Sequence, residues 1–241
     1  MSSPHRKDLS ILVVDDEGFQ RRILREALKS LGFLKIKEAD SGQFAIMTMA
    51  EQNFDLILSD VQMPGMNGLE LLRQIRLGQT QLPRSARFVV LTSFSNTEVL
   101  GAAMALDVNG FLAKPIKIGI VMEKIDRAMQ ETFQPRSSSE YESVDTNPLS
   151  LEEVAKSSTK RAPTKENPIA GMVERTIPLS QLKVGMCVTK AVVATNGTLL
   201  IPAGTILTQL FINRLWDLDS VLPKELVHIA SAPQVENKLS E

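Results

Sequence analysis

Along the first half of the chain, short apolar runs alternate with stretches in which apolar residues recur at helical spacing. The runs at residues 9–14, 34–39, 55–59, 87–91 and 110–113 are too short for helices, and turn or capping residues follow each. Strands that are apolar on both faces suit a parallel sheet covered by helices. Between the first two runs, Ile23, Leu24, Ala27, Leu28 and Leu31 fall on one helical stripe, which Gly32 can end in a left-handed cap. Ser41 and Asn67 are placed to cap the next two helices. Further helices are expected at 96–106 and 117–129. The pattern predicts an α/β domain over residues 8–133, a doubly wound five-stranded parallel sheet.

The pattern changes at residue 134. Pro135, Ser137, Ser138, Ser139, Pro148, Pro163 and Pro168 replace the large apolar residues, so 134–172 reads as a long flexible linker. Alternation returns at 176–182, 186–193 and 198–201, with Asn196-Gly197 in the position of a tight hairpin turn. Thr208 can cap a helix carrying Phe211, Ile212, Leu215 and Trp216, and 226–229 can close the sheet. Residues 173–231 thus predict a small β-rich α+β module, followed by a tail at 232–241. Its core is small, which makes support from a partner, such as a homodimer contact, a reasonable expectation.

Composition narrows the classes. The chain has 27 Lys and Arg against 28 Asp and Glu, a net charge of -1, so no overall field draws it to nucleic acid or to an anionic membrane. The single cysteine, Cys187, has no intramolecular disulfide partner and no metal-ligand spacing around it. No apolar run approaches the roughly 18 residues of a membrane span. A cytoplasmic protein without a membrane segment is expected.

Chemistry in an open parallel sheet collects beyond the carboxyl ends of its strands. There the sequence places Asp15 and Asp16 after the first strand, Asp60 after the third, Thr92 after the fourth, and Lys114-Pro115 after the fifth. Taken singly, each has a plainer explanation: a capping acid, a turn acid before Pro64-Gly65, a cap hydroxyl, a solvated lysine. Taken together they make an acidic pocket with a hydroxyl and a lysine on its rim. Three crowded carboxylates repel one another unless a divalent cation offsets them, and hard oxygen ligands suit Mg²⁺. One carboxylate can then act as nucleophile toward a phosphoryl group, helped by the cation and the lysine. Asp60 is the central candidate, because the third strand ends near the middle of the strand order.

Four segments carry a resemblance: Val13-Val14-Asp15-Asp16-Glu17, the nine residues from Asp60 to Gly68, Leu91-Thr92-Ser93, and Gly110-Phe111-Leu112-Ala113-Lys114-Pro115. They resemble the receiver domain of two-component response regulators, a flavodoxin-like fold. The resemblance implies that Asp15, Asp16 and Asp60 hold Mg²⁺ together with the backbone carbonyl of Gln62. It implies that Asp60 takes phosphate from a histidine kinase or phosphotransfer protein, with Thr92 and Lys114 on the phosphoryl oxygens. Thr92 and Phe111 would form the conformational switch. No enzyme activity beyond Mg²⁺-dependent self-phosphorylation and self-dephosphorylation at Asp60 is implied. Phe94 and Gln62 suggest slow loss of the phosphoryl group.

The second module is less telling. The stretch 177–205 is similar to a β-rich module of bacterial signalling proteins, some of which carry HD-type phosphodiesterase domains. Its only histidine, His228, lacks an adjacent aspartate, so the chain is not expected to hydrolyse cyclic dinucleotides. The helix from Thr208 offers Gln209, Asn213 and Arg214 but also Asp217 and Asp219, a poor recognition helix, so DNA is an unlikely partner. An adaptor that contacts a downstream signalling protein, with cyclic-dinucleotide signalling as one setting, is the first reading. A DNA-binding regulator or a phosphate sink without its own output are the alternatives.

Overall fold

Five apolar runs become strands in the computed structural model, which describes residues 7–93, 97–132, 134–147, 173–219, 222 and 227–231. They are β1 (Ser10–Val14), β2 (Lys35–Ala39), β3 (Leu56–Asp60), β4 (Arg87–Thr92) and β5 (Gly110–Ala113). All pair in parallel in the order β2-β1-β3-β4-β5, so β3 is central. The helices α1 (Gly18–Ser30), α2 (Gly42–Glu51), α3 (Gly68–Leu77) and α4 (Thr97–Ala105) connect them, and α5 (Ile118–Gln130) follows β5. Short runs become strands here because both sheet faces are covered: Leu12, Val13, Ile57, Leu58, Val89 and Val90 are all buried. Each such side chain stabilises the fold by about 1.5–3 kcal/mol relative to exposure.

Local chemistry sets the helix ends. Ser41 Oγ accepts the Phe44 N–H at 3.3 Å and Asn67 Oδ1 accepts the Glu70 N–H at 2.9 Å, the two caps expected from sequence. Gly32 adopts φ 92° just after α1. Of the expected stripe on α1, Leu24, Ala27 and Leu28 are buried, whereas Ile23 is 40% exposed. By helical angle Ile23 sits at the edge of the stripe.

The chain divides into two compact units, residues 1–157 and 158–241. The first unit extends past the receiver boundary expected at 133. Where a flexible linker is expected from residue 134, residues 134–147 instead pack on the receiver and include a short helix, α6 (Ser138–Glu142). A capping box between Ser137 and Glu140 starts α6, and Tyr141 is fully buried. The rest of the expected linker, 148–172, and the tail 232–241 lie outside the described residues.

In the second unit, β6 (Val173–Ile177), β10 (Val227–Ser231) and β7 (Cys187–Val188) form an antiparallel sheet in the order β6-β10-β7. A hairpin of β8 (Val192–Val193) and β9 (Leu199–Ile201) turns at Asn196-Gly197, where Gly197 has φ 92°. The expected strand 176–182 ends early, because Pro178 is followed by a 3-10 turn at Leu179–Gln181. The expected strand 186–193 breaks into β7 and β8. Thr208 caps α7 (Gln209–Asp217), accepting the Phe211 N–H at 3.3 Å. Ile212 and Leu215 are buried on α7, while Trp216 is 41% exposed.

Candidate functional site

The strand order brings the carboxyl ends of β1, β3, β4 and β5 side by side, and with them the residues singled out from sequence. Asp60 closes β3, Thr92 closes β4, Asp15 and Asp16 follow β1, and Lys114 follows β5. Asp15, Asp60 and Thr92 are buried, and Asp16 is exposed. Lys114 Nζ donates to Asp60 Oδ2 at 2.7 Å and to Asp15 Oδ2 at 2.9 Å. One cation therefore bridges two carboxylates from different strands.

The second oxygens are held by backbone. Asp60 Oδ1 accepts the Val61 N–H at 2.7 Å, and Asp15 Oδ1 accepts the Glu17 N–H at 2.9 Å. Burial pushes the Asp60 carboxyl above its ordinary value, against the hydrogen bond and charge of Lys114, and the neighbouring Asp15 adds to the rise. For Lys114, burial works against the charge, but its hydrogen bonds to Asp60 and Asp15 outweigh that and hold its pKa above the ordinary lysine value. Both groups thus hold a proton more tightly than they would in water. A carboxylate in this position gains from any further positive charge.

An open pocket of about 170 Å³ lies over Asp60, lined by Gln62, Thr92, Ser93 and Lys114 and also by Glu17 and Gln20. Sequence reading passed over Gln20, which only the first turn of α1 carries to the site. It also passed over Arg21, whose Nη1 donates to the Asp15 carbonyl at 2.6 Å, and Ser59, whose Oγ donates to the Asp60 carbonyl at 2.9 Å. Gly68 is a third omission: a Cβ there would lie 2.1 Å from the Asp60 carbonyl oxygen. The close approach of α3 to the end of β3 requires glycine.

These strand-end positions match a family pattern. The response regulator receiver domain model matches residues 11–126. Chemotaxis protein CheY-3 of Vibrio cholerae serotype O1 is 34% identical over 124 residues, which cover 52% of this chain and 94% of that protein. This chain belongs to the response regulator receiver family. Chemotaxis protein CheY of Pseudomonas aeruginosa is 35% identical over 122 residues, 51% of this chain and 97% of that one. A solved structure of chemotaxis protein CheY4 from Vibrio cholerae aligns at 26% identity with a TM-score of 0.46, over 50% of this chain and 98% of that one.

Receiver domains bind Mg²⁺ at an acidic cluster, and Asp15, Asp16 and Asp60 form such a cluster here, with ligand atoms all within 4.8 Å of one another. The residues fit the ion: three hard carboxylates converge, and the charge they require is met on one side by the Lys114 ammonium, leaving the exposed Asp16 side open to solvent. Phe111, on β5, is 1% exposed and pairs with Val90 of β4. Phe94 lies outside the described residues. Among the described residues, no helix is long and apolar enough to cross a membrane.

Proposed function

We propose that this receiver accepts a phosphoryl group on Asp60 from a histidine kinase or histidine phosphotransfer protein and thereby changes its contacts with a downstream signalling protein. The observation that carries this reading is the Lys114 ammonium shared between Asp60 and Asp15. It holds a nucleophilic carboxylate and a cation at one point, in a pocket open to a donor.

In the transfer, an Asp60 oxygen forms a bond to phosphorus as the donor's phosphorus–nitrogen bond breaks, and the bonding pair stays on the donor's imidazole nitrogen. Asp15, Asp16, Asp60 and the backbone carbonyl of Gln62 would hold Mg²⁺, which would supply positive charge to offset that on the phosphoryl oxygens. Lys114 and Thr92 contact those oxygens from the β5 and β4 sides. Water later cleaves the acyl phosphate, restoring the Asp60 carboxylate and releasing inorganic phosphate. Transfer and hydrolysis at Asp60 are the only chemistry assigned to the chain, in the cytoplasm.

Thr92 and Phe111 are the switch in this reading. Both are buried on adjacent strands next to the phosphoacceptor, so a new charge at Asp60 biases their packing. For the output, Asn213 is 5% exposed and Arg214 is fully buried, which removes two of the three α7 side chains able to read a base edge. That favours protein contact, including self-association through the small module, over DNA contact.

Intact-mass measurement of the full chain with Mg²⁺ and acetyl phosphate tests the acceptor. One phosphoryl mass should appear on the wild type, vanish with EDTA, and be absent from Asp60→Asn. Equal labelling of Asp60→Asn would assign the phosphoryl group elsewhere.

A further inference from the structure

The segment after α5 does more than leave the receiver. It runs along α3 from the end remote from Asp60 to the end beside it. At the remote end, Tyr141 is buried, and its hydroxyl donates to Asp107 Oδ2 at 2.7 Å and accepts the Arg136 N–H at 2.9 Å. Arg136 Nε reaches the same Asp107 oxygen at 2.9 Å, and the guanidinium groups of Arg84 and Arg136 lie 5.7 and 5.1 Å from the Tyr141 ring centre.

At the near end, the Thr146 carbonyl accepts Asn67 Nδ2 at 2.8 Å, and the Thr146 hydroxyl donates to Glu70 Oε2 at 2.8 Å. Asn67 has two tasks, because its Oδ1 caps α3 while its amide holds the strap. The next residue, Gly68, donates its N–H to the Val61 carbonyl at 3.1 Å and packs directly beneath the Asp60 carbonyl. Thr146, Asn67, Gly68 and Asp60 thus form one continuous chain of contacts.

We propose that residues 136–147 are a strap whose docking along α3 is coupled to occupancy of Asp60. The inference rests on the phosphoacceptor reading above. The turn from Val61 to Asn67 has the phosphoacceptor at one end and the strap's anchor at the other. A cation and a phosphoryl group that fix the Asp60 and Gln62 end lower the entropy still to be lost when Thr146 fixes the Asn67 end. Occupancy therefore tightens the strap, and by reciprocity the docked strap tightens occupancy. A modification at Asp60 is in this way read out in the segment that leads to the C-terminal module.

Hydrogen exchange by mass spectrometry on the full chain, with and without Mg²⁺ and beryllium fluoride, tests the coupling. Fluorine NMR of the same samples records whether fluoroberyllate is bound. Amides of 138–147 should exchange at least about fivefold more slowly in loaded protein, and Tyr141→Ala should weaken fluoroberyllate binding by about fivefold or more. Tyr141→Phe, which keeps the ring and loses only the bonds of the hydroxyl, should weaken it less and guards against loss of folding in the alanine variant. Unchanged or faster exchange in a loaded sample, with both variants binding as the wild type does, overturns the strap coupling. Absence of a bound fluorine signal in the wild type overturns the Asp60 reading instead.

Discussion

The receiver and the C-terminal module bury their apolar residues by different means, and among the described residues only the receiver thereby gathers acids from separate strand ends. In the receiver, parallel strands of four to six residues are covered on both faces, and their carboxyl ends emerge side by side. Polar residues that follow those ends converge whether or not they are near in sequence, as Asp15 and Lys114 do across 99 residues. In the module, β7, β8 and β9 have only two or three residues and pair antiparallel, joined by turns. Antiparallel neighbours point their carboxyl ends in opposite directions, so polar residues at strand ends disperse. Among the described residues, the one acidic group able to hold a metal is in the receiver.

With separate cores, the two units should unfold separately. Phe88, fully buried on β4, anchors the receiver, and Leu215, fully buried on α7, anchors the module. Phe88→Ala should cost the receiver about 3–5 kcal/mol, and Leu215→Ala should cost the module about 2–5 kcal/mol. The chain's single tryptophan, Trp216, reports the module alone, through an environment in which its Nε1 donates to the Leu179 carbonyl at 3.3 Å. In urea titrations, Phe88→Ala should move the circular dichroism transition and leave the Trp216 fluorescence midpoint in place. A shared shift of both signals would show that the units fold as one.

Gly68→Ala perturbs the strand-end pocket directly. The added Cβ meets the Asp60 carbonyl at 2.1 Å and must displace α3 or β3, at a cost of about 1–3 kcal/mol. Alanine at Gly185 or Gly204 in the module meets nothing within 4 Å, although both have positive φ. Phosphorylation with acetyl phosphate should fall sharply in Gly68→Ala and stay at the wild-type level in Gly204→Ala. Equal labelling of both would separate the α3 packing from the chemistry.

The smallest effect concerns pH and the strap. Burial, followed by the hydrogen bond and charge of Asp107, raises the Tyr141 pKa above the ordinary value of 10.0, against the Arg136 backbone N–H and charge. The folded state therefore holds the phenol proton more tightly than the unfolded chain does. Its contribution is fully present below about pH 10 and is lost as pH rises through the raised value. Arg84, Arg136 and Asp107 face the ring, and the two arginines stay charged over that range. Thermal melts between pH 9 and 11 should lose stability more steeply for wild type than for Tyr141→Phe.

Much of the receiver was legible because its signals are local or periodic. The five apolar runs, the caps at Ser41 and Asn67, and the polar residues ending each run need only a few neighbouring positions to be read. The segment 134–147 is not legible in this way, for the opposite reason. Its serines and Pro135 look like linker, yet it contains the Ser137–Glu140 capping box and the chain's single tyrosine, both visible in the sequence. What orders it is Asp107, 34 residues away from Tyr141, and Asn67, 79 residues away from Thr146.

Sequence alone specifies the strand and helix periods of the receiver, its capping residues and the set of acids, hydroxyl and lysine that follow its strands. Each of these follows from spacing and side-chain type along a short stretch of chain. Packing sets the rest: one lysine bridges two aspartates, Gln20 and Arg21 reach the site, glycine is required at position 68, and residues 134–147 pack on the receiver. Those outcomes depend on distances between residues far apart in the chain, which are set only when the parallel strands pair and the helices pack across them.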